Sequence, residues 1–175
     1  IDVLMINRPS PLMNYAEIGE AFHMLKESGK VREFGVVNFS PDQIRALSRF
    51  YPISSHQAEV SFTHLGPLMD GTIDTCMAHD MVPMSWSPLG GGSIYTNTKA
   101  GKKLEAKLQK HADKYGWTLS EMALLFLMHH PAGILPVVNY AKVDKIKETV
   151  DLLDVVLTNE QWFEILITVQ GYEMP

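Results

Sequence analysis

The sequence predicts an α/β protein built around a parallel sheet, on three observations. Short apolar segments of strand length occur five times, at 1–6, 34–39, 54–61, 82–87 and 134–138. Between them, apolar residues return at helical spacing behind Asn, Ser or Thr caps. The segment at 82–87 runs into Gly90, Gly91 and Gly92, a loop almost without side chains. Strict alternation of strand and helix implies parallel strands joined by right-handed crossovers. The pattern fits an open sheet or part of a barrel equally. In both, ligands gather at the carboxyl ends of the strands.

Taken in order, residues 1–6 read as a buried strand stopped by Pro9 and Pro11. Asn14 and Glu17 have the spacing of a capping box, and Ile18, Ala21, Phe22 and Leu25 then line one face of a helix ending near Gly29. The second strand, 34–39, meets Ser40-Pro41-Asp42-Gln43, which supplies an N-cap, a proline at the first helical position and the box glutamine. Ile44 and Leu47 point that helix inward. After the third strand, 54–61, comes a helix near 73–79, then the strand at 82–87. Leu104, Leu108, His111, Ala112 and Tyr115 define the next helical face. Thr118 and Glu121 cap a further helix carrying Met122, Leu125 and Phe126. The fifth strand leads through Asn139, Tyr140, Ala141 and Lys142 into a helix with Val143, Ile146, Val150 and Leu153 on one side. Thr158 and Gln161 cap the last helix, which holds Trp162 and Leu166.

Composition narrows the function classes. With 175 residues and 46% hydrophobic content, one globular domain spanning 1–175 is expected. A net charge of −5 speaks against a general nucleic-acid partner, and the six lysines between Lys99 and Lys114 read as a solvated helix face. No apolar run is long enough for a membrane span and no leader pattern is visible, so a soluble, cytoplasmic protein without a membrane partner is expected. Cys76, the only cysteine, allows no intrachain disulfide. His56 and His64 lack a companion set at zinc-ligand spacing, and His129 and His130, before Pro131, read as helix-end residues able to meet free carbonyls; no metal site is expected. The glycine loop is the chemical feature. Consecutive glycines allow left-handed angles and close approach, and their amides can face a phosphate. Trp86 offers a flat face to a planar ring. The alternative is a sharp turn beside a core tryptophan.

The segments Gly35-Val-Val-Asn-Phe-Ser40, Ser87-Pro-Leu-Gly-Gly-Gly92 and Pro136-Val-Val-Asn-Tyr-Ala-Lys142, in this order and separation, resemble the carboxyl-terminal part of the aldo-keto reductases. The bacterial YdhF-like oxidoreductases are the branch it looks most similar to, and the resemblance runs from Ile1 through 171–175. It implies a partial (β/α)8 TIM barrel of five parallel strands alternating with helices. Those strands would be the fourth to eighth, with the first three absent. Family members reduce carbonyls with NADPH, using a tyrosine acid tuned by a lysine and an aspartate; these three belong to the part not represented. The family's carbonyl-orienting histidine would fall at position 7, where this sequence has Asn7. An amide donates a hydrogen bond but does not titrate near neutral pH.

On the cofactor side, the resemblance assigns Asn38 and Gln57 to the nicotinamide carboxamide and Trp86 to stacking on its ring. Ser87, Leu89, Gly90, Gly91 and Gly92 would follow the pyrophosphate, with Lys142 and Lys145 near the 2'-phosphate of NADP(H). Without the resemblance, Asn38 and Gln57 would read as residues capping strand ends. Departures are plain. Val37 replaces a usual serine, Asn139-Tyr140-Ala141 replaces Gly-Ser-Gly, and Lys145 stands where arginine is common, which keeps the charge but loses the planar fork. Tyr15 and Tyr140, near strand ends, could in principle stand in for the acid, but the sequence shows no base beside either, so neither is expected to. The functional expectation is a barrel remnant that does not reduce carbonyls alone, keeps a residual NADP(H) site, and self-associates to cover exposed sheet edges. The alternative is a piece of an NADPH-dependent reductase whose other strands are removed or supplied in trans, acting on a small carbonyl substrate once completed. A start inside a strand pattern without an initiator methionine favours a cut product.

Overall fold

Caps and strand-ending residues set the element boundaries in the computed structural model, which describes residues 1–95 and 99–173. The last residues of the family resemblance, 174–175, lie outside these. The elements are β1 (Val3–Ile6), α1 (Tyr15–Glu27), β2 (Glu33–Val37), α2 (Pro41–Ser48), β3 (Ser55–Glu59), α3 (Thr72–Ala78), β4 (Val82–Trp86), α4 (Lys99–Tyr115), α5 (Leu119–Met128), β5 (Leu135–Pro136), α6 (Val143–Asp151) and α7 (Asn159–Gln170). Five parallel strands follow one another in the sheet in chain order. The registers of the first three are set by Met5 opposite Gly35 and by Gly35 opposite Ser55.

The expected caps form. Ser40 and Gln43, Thr118 and Glu121, and Thr158 and Gln161 make reciprocal boxes, each hydroxyl accepting from the third-position amide and each third side chain accepting from the cap amide. Asn14 departs from that form. Its Oδ1 accepts from the Ala16 amide at 3.1 Å, while its Nδ2 donates to Glu17 Oε1 at 2.7 Å. The second strand is shorter than expected because Asn38 takes φ 57, turning the backbone out of the ladder before Phe39.

The chain divides into two compact units, one of Ile1–Glu59 with Gly66–Met84, the other of Val60–Leu65 with Ser85–Pro175. The core of the first is aromatic. Phe22 and Phe34 stack with centroids 4.1 Å apart, and Tyr51 meets both edge-on. Val36, Ile44, Leu47 and Cys76 complete it, each fully buried. Gly35 lets β1, β2 and β3 close up, because a Cβ there would lie 2.4 Å from Ser55 Oγ and 2.9 Å from Met5 Cε. The second unit packs α5 at its centre. Phe126 stacks on Trp162 at 4.8 Å, Trp162 Nε1 donates to the Phe126 carbonyl at 2.8 Å, and Leu108, Ala112, Ile165 and Leu166 are buried.

Three sequence expectations need correction. The strand at the amino terminus is not buried: Ile1 is 72% and Val3 45% exposed, because β1 is an edge strand. The fifth strand is reduced to Leu135–Pro136, since Pro136 has no amide to donate; the Val137 amide pairs instead with the Ser85 carbonyl at 2.8 Å. The apolar stripe of α6 faces no core: Val143, Ile146 and Val150 are about half exposed or more, and no residue of this helix is buried. The lysine-bearing face of α4 is solvated as expected at Lys102, Lys103, Lys107, Lys110 and Lys114.

Candidate functional site at the strand ends

In the first unit, the left-handed turn at Asn38 places its amide against the Gln57 carbonyl at 2.8 Å, bringing these two residues side by side across β2 and β3. Asn38 is exposed and Gln57 half-buried. Asn7 follows β1 and is exposed too. His56, next to Gln57 on the opposite face of the strand, points inward. Its Nδ1 lies 3.8 Å from Cys76 Sγ, and its Nε2 finds no hydrogen-bond partner among the described residues. Burial pushes the His56 pKa down to about 4, against a smaller upward pull from Asp70, and pushes the Cys76 thiol up to about 11. Both groups are therefore neutral core members at physiological pH.

In the second unit, β4 ends at Trp86, half-buried, and the chain then turns sharply. Ser87 has φ 49, and Gly90, Gly91 and Gly92 have φ 61, 57 and 83. The glycines are thus required by backbone angle and not only permitted. The loop differs from the expected array of free amides, since Gly90 donates to the Ser87 carbonyl at 2.7 Å and Gly92 to the Leu89 carbonyl at 3.2 Å. Ser87, Leu89, Gly91 and Gly92 face Asn139 and Tyr140 across a cavity of ≈ 310 Å³ at the carboxyl ends of β4 and β5. Among the described residues, nothing lies within 4 Å of where a Cβ would stand on Gly91 or Gly92.

Tyr140 also lines a second cavity of ≈ 380 Å³, walled by Glu121 and Leu124 of α5, by Lys145 and Glu148 of α6, and by Leu152. Lys145 Nζ donates to Glu148 Oε2 at 2.5 Å, and this bond above all raises the lysine pKa, with weaker contributions from the charges of Glu148, Glu121 and Tyr140. Lys142 is exposed and lines neither cavity. The sequence reading did not single out Glu148 or the cavity role of Glu121. The available signal was Glu148 three residues after Lys145 on a helix, where the two side chains meet. His129 is the C-cap residue of α5, as its place at the helix end suggests; its Nε2 lies 3.3 Å from Asn159 Oδ1, and His130 Nδ1 accepts from the Ala132 amide at 3.2 Å. Among the described residues, no three His, Cys, Asp or Glu converge as a metal set.

Comparison with known proteins identifies the lineage of these strand ends. Residues 1–167 match the model of the aldo/keto reductase family. The chain belongs to that family. It is 40% identical over its whole length to the uncharacterized oxidoreductase YcsN of Bacillus subtilis and 34% identical to the oxidoreductase YdhF of Escherichia coli. It covers 60% of the first and 59% of the second, so it spans about three-fifths of the relatives it matches. A 6-dehydroglucose reductase of Novosphingobium aromaticivorans is 33% identical over the whole chain, which covers 59% of that protein. The crystal structure of the thermostable aldo-keto reductase Tm1743 with the inhibitor epalrestat superposes with a TM-score of 0.84 at 20% identity, over 96% of this chain and 60% of that one. This likeness shows the fold: the five strands and their helices form part of a TIM barrel. No helix among the described residues is long and apolar enough to cross a membrane.

Proposed function

We propose that the chain is an aldo/keto-reductase-derived partial barrel that binds a nicotinamide dinucleotide and does not reduce carbonyls by itself. The observation that carries the reading is the loop from Ser87 to Gly92, whose left-handed backbone walls a cavity with Asn139 and Tyr140 at the strand ends. The family generally uses NADP(H). A bound dinucleotide would supply or accept the hydride. In this reading, Ser87, Leu89, Gly90, Gly91 and Gly92 follow the pyrophosphate and Trp86 stacks on the nicotinamide. Lys142 and Lys145 are the cations nearest the adenosine end in sequence. Asn7 orients a carbonyl at most, because its amide donates a hydrogen bond but exchanges no proton near neutral pH.

Titration of NADH and NADPH into the purified chain, followed by quenching of tryptophan fluorescence with Trp86→Phe as control, tests the binding half. Saturation in the micromolar range that weakens in the variant supports it, and no binding of either refutes it. Turnover of a generic aldehyde by the isolated chain, abolished by Trp86→Ala, would refute the catalytic half.

Exposed apolar surface favours a second element of the reading, self-association. Ile1 and Val3 on the β1 edge, and Val143, Ile146 and Val150 on α6, are apolar groups in water. A second copy of the chain covers such surfaces most simply, as a two-fold dimer. Sedimentation equilibrium at high concentration should show it, and a monomer would refute it. A polypeptide carrying the remaining barrel strands is the competing cover, detected by carbonyl reduction regained on mixing.

A further inference from the structure

The cavity beside α6 carries the wrong charge for a phosphate monoester. Its formally charged lining is Glu121, Lys145 and Glu148, two carboxylates against one ammonium. The ammonium is already engaged, 2.5 Å from Glu148 Oε2. Glu121 is anchored in the wall, its Oε2 accepting from the Thr118 amide at 2.7 Å, so it does not swing aside without opening the cap of α5. A dianionic phosphate placed here faces both carboxylates and must draw Lys145 away from its partner. The neutral 2'-hydroxyl of an unphosphorylated ribose meets no such conflict. It donates to a carboxylate, the arrangement by which dinucleotide sites elsewhere recognise a free ribose, while basic residues serve a 2'-phosphate. Leu124, Leu152 and the Tyr140 ring supply apolar wall for a purine. Tyr140 borders both cavities, so a dinucleotide with its pyrophosphate at the glycine loop would have this cavity next to it, and the resemblance that puts Lys145 near the 2'-phosphate would set the adenosine end here.

We infer that the nucleotide cleft of this chain discriminates against an adenosine 2'-phosphate and takes NAD(H) in preference to NADP(H), with Glu148 as the residue that sets the preference. The inference rests on the dinucleotide reading above and departs from the family's general use of NADP(H). Specificity arises here by repulsion: an unfavourable charge contact penalises one ligand more than it helps the other.

The test is calorimetric titration of the full chain with NADH and NADPH, and with 5'-ADP and 2',5'-ADP as fragments, at low salt. NADH is expected to bind roughly tenfold tighter than NADPH, the scale of an uncompensated charge at a half-exposed site, and the ratio should shrink as salt screens it. Glu148→Gln keeps the shape, removes one negative charge and frees Lys145; it should bring the two ligands to within about threefold by strengthening NADPH. Glu148 is half exposed, so the variant retains the fold. NADPH binding equal to or tighter than NADH in the unaltered chain overturns the inference and leaves the dinucleotide reading intact. Binding of neither overturns both. An unchanged ratio in Glu148→Gln overturns the role of Glu148.

Discussion

Lowering the pH should weaken the first unit through one residue, His56. The imidazole is 1% exposed, beside Cys76, and its pKa falls from 6.5 to about 4 on folding. The unfolded chain therefore binds a proton that the folded chain refuses. Stability from this group is fully present above pH 6.5, falls as the pH drops from 6.5 toward 4, and is flat below. The whole window is worth about 3 kcal/mol at 1.36 kcal/mol per unit, and the part between pH 7.5 and pH 5 about 2 kcal/mol. The charged groups facing His56 do not reverse the sign: Asp70 pulls the pKa upward but less than burial pushes it down, and Cys76, raised to about 11, stays neutral throughout. Urea unfolding at pH 7.5, 6.5, 5.5 and 5 would measure it for the chain and for His56→Leu. Other carboxylates and histidines titrate in both proteins, so the difference between the two profiles isolates His56. The variant should be less sensitive to acid by about 2 kcal/mol at pH 5. Parallel profiles would refute the reasoning.

Gly35→Ala should destabilise by about 2–3 kcal/mol, because the new methyl group meets the buried Ser55 Oγ and its carbonyl in the tight β2–β3 pairing; an unchanged urea midpoint would refute this. Trp162→Ala, which removes the stack on Phe126 and a hydrogen bond to its carbonyl, should cost about 3 kcal/mol, and Trp162→Phe less than half of that, read by thermal melting. Thr118→Ala opens one capping box and should cost about 1 kcal/mol in chemical denaturation. Cys76 should react with a thiol reagent only at the rate of unfolding, since it is fully buried and its thiol is held protonated; rapid labelling under native conditions would contradict its place in the core.

Much of the fold was legible in the chain. Ser40, Thr118 and Thr158 announce helices because a hydroxyl that satisfies an amide three residues on acts within one turn, independent of what packs around it. The glycine loop was legible for a similar reason, since glycines that tolerate left-handed angles mark where a strand must turn, whereas the turn at Asn38 was not, because the apolar run continues through Phe39. The cavity beside α6 was not legible. Its walls come from Glu121 and from Glu148, which belong to separate helices, and neither helix by itself shows that they face a shared space. The glycine amides were misjudged because hydrogen bonds within a tight turn depend on exact angles, which composition does not specify.

The strength of the family motifs allowed the chain's own residues to specify alternation, caps, strand ends and lineage, all of which depend on local conformation or on the identity of residues in order. Tertiary structure alone decided exposure and charge context. The stripe of Val143, Ile146 and Val150 has the spacing of a core face yet stands in water, because periodicity reports which residues share a side of a helix and not whether another element covers that side. Lys145 reads as a phosphate ligand until its surroundings are counted: Glu148 is three residues on in the sequence, but only the structure sets Glu121 in the same cavity wall, and a charge acts through its neighbours in space.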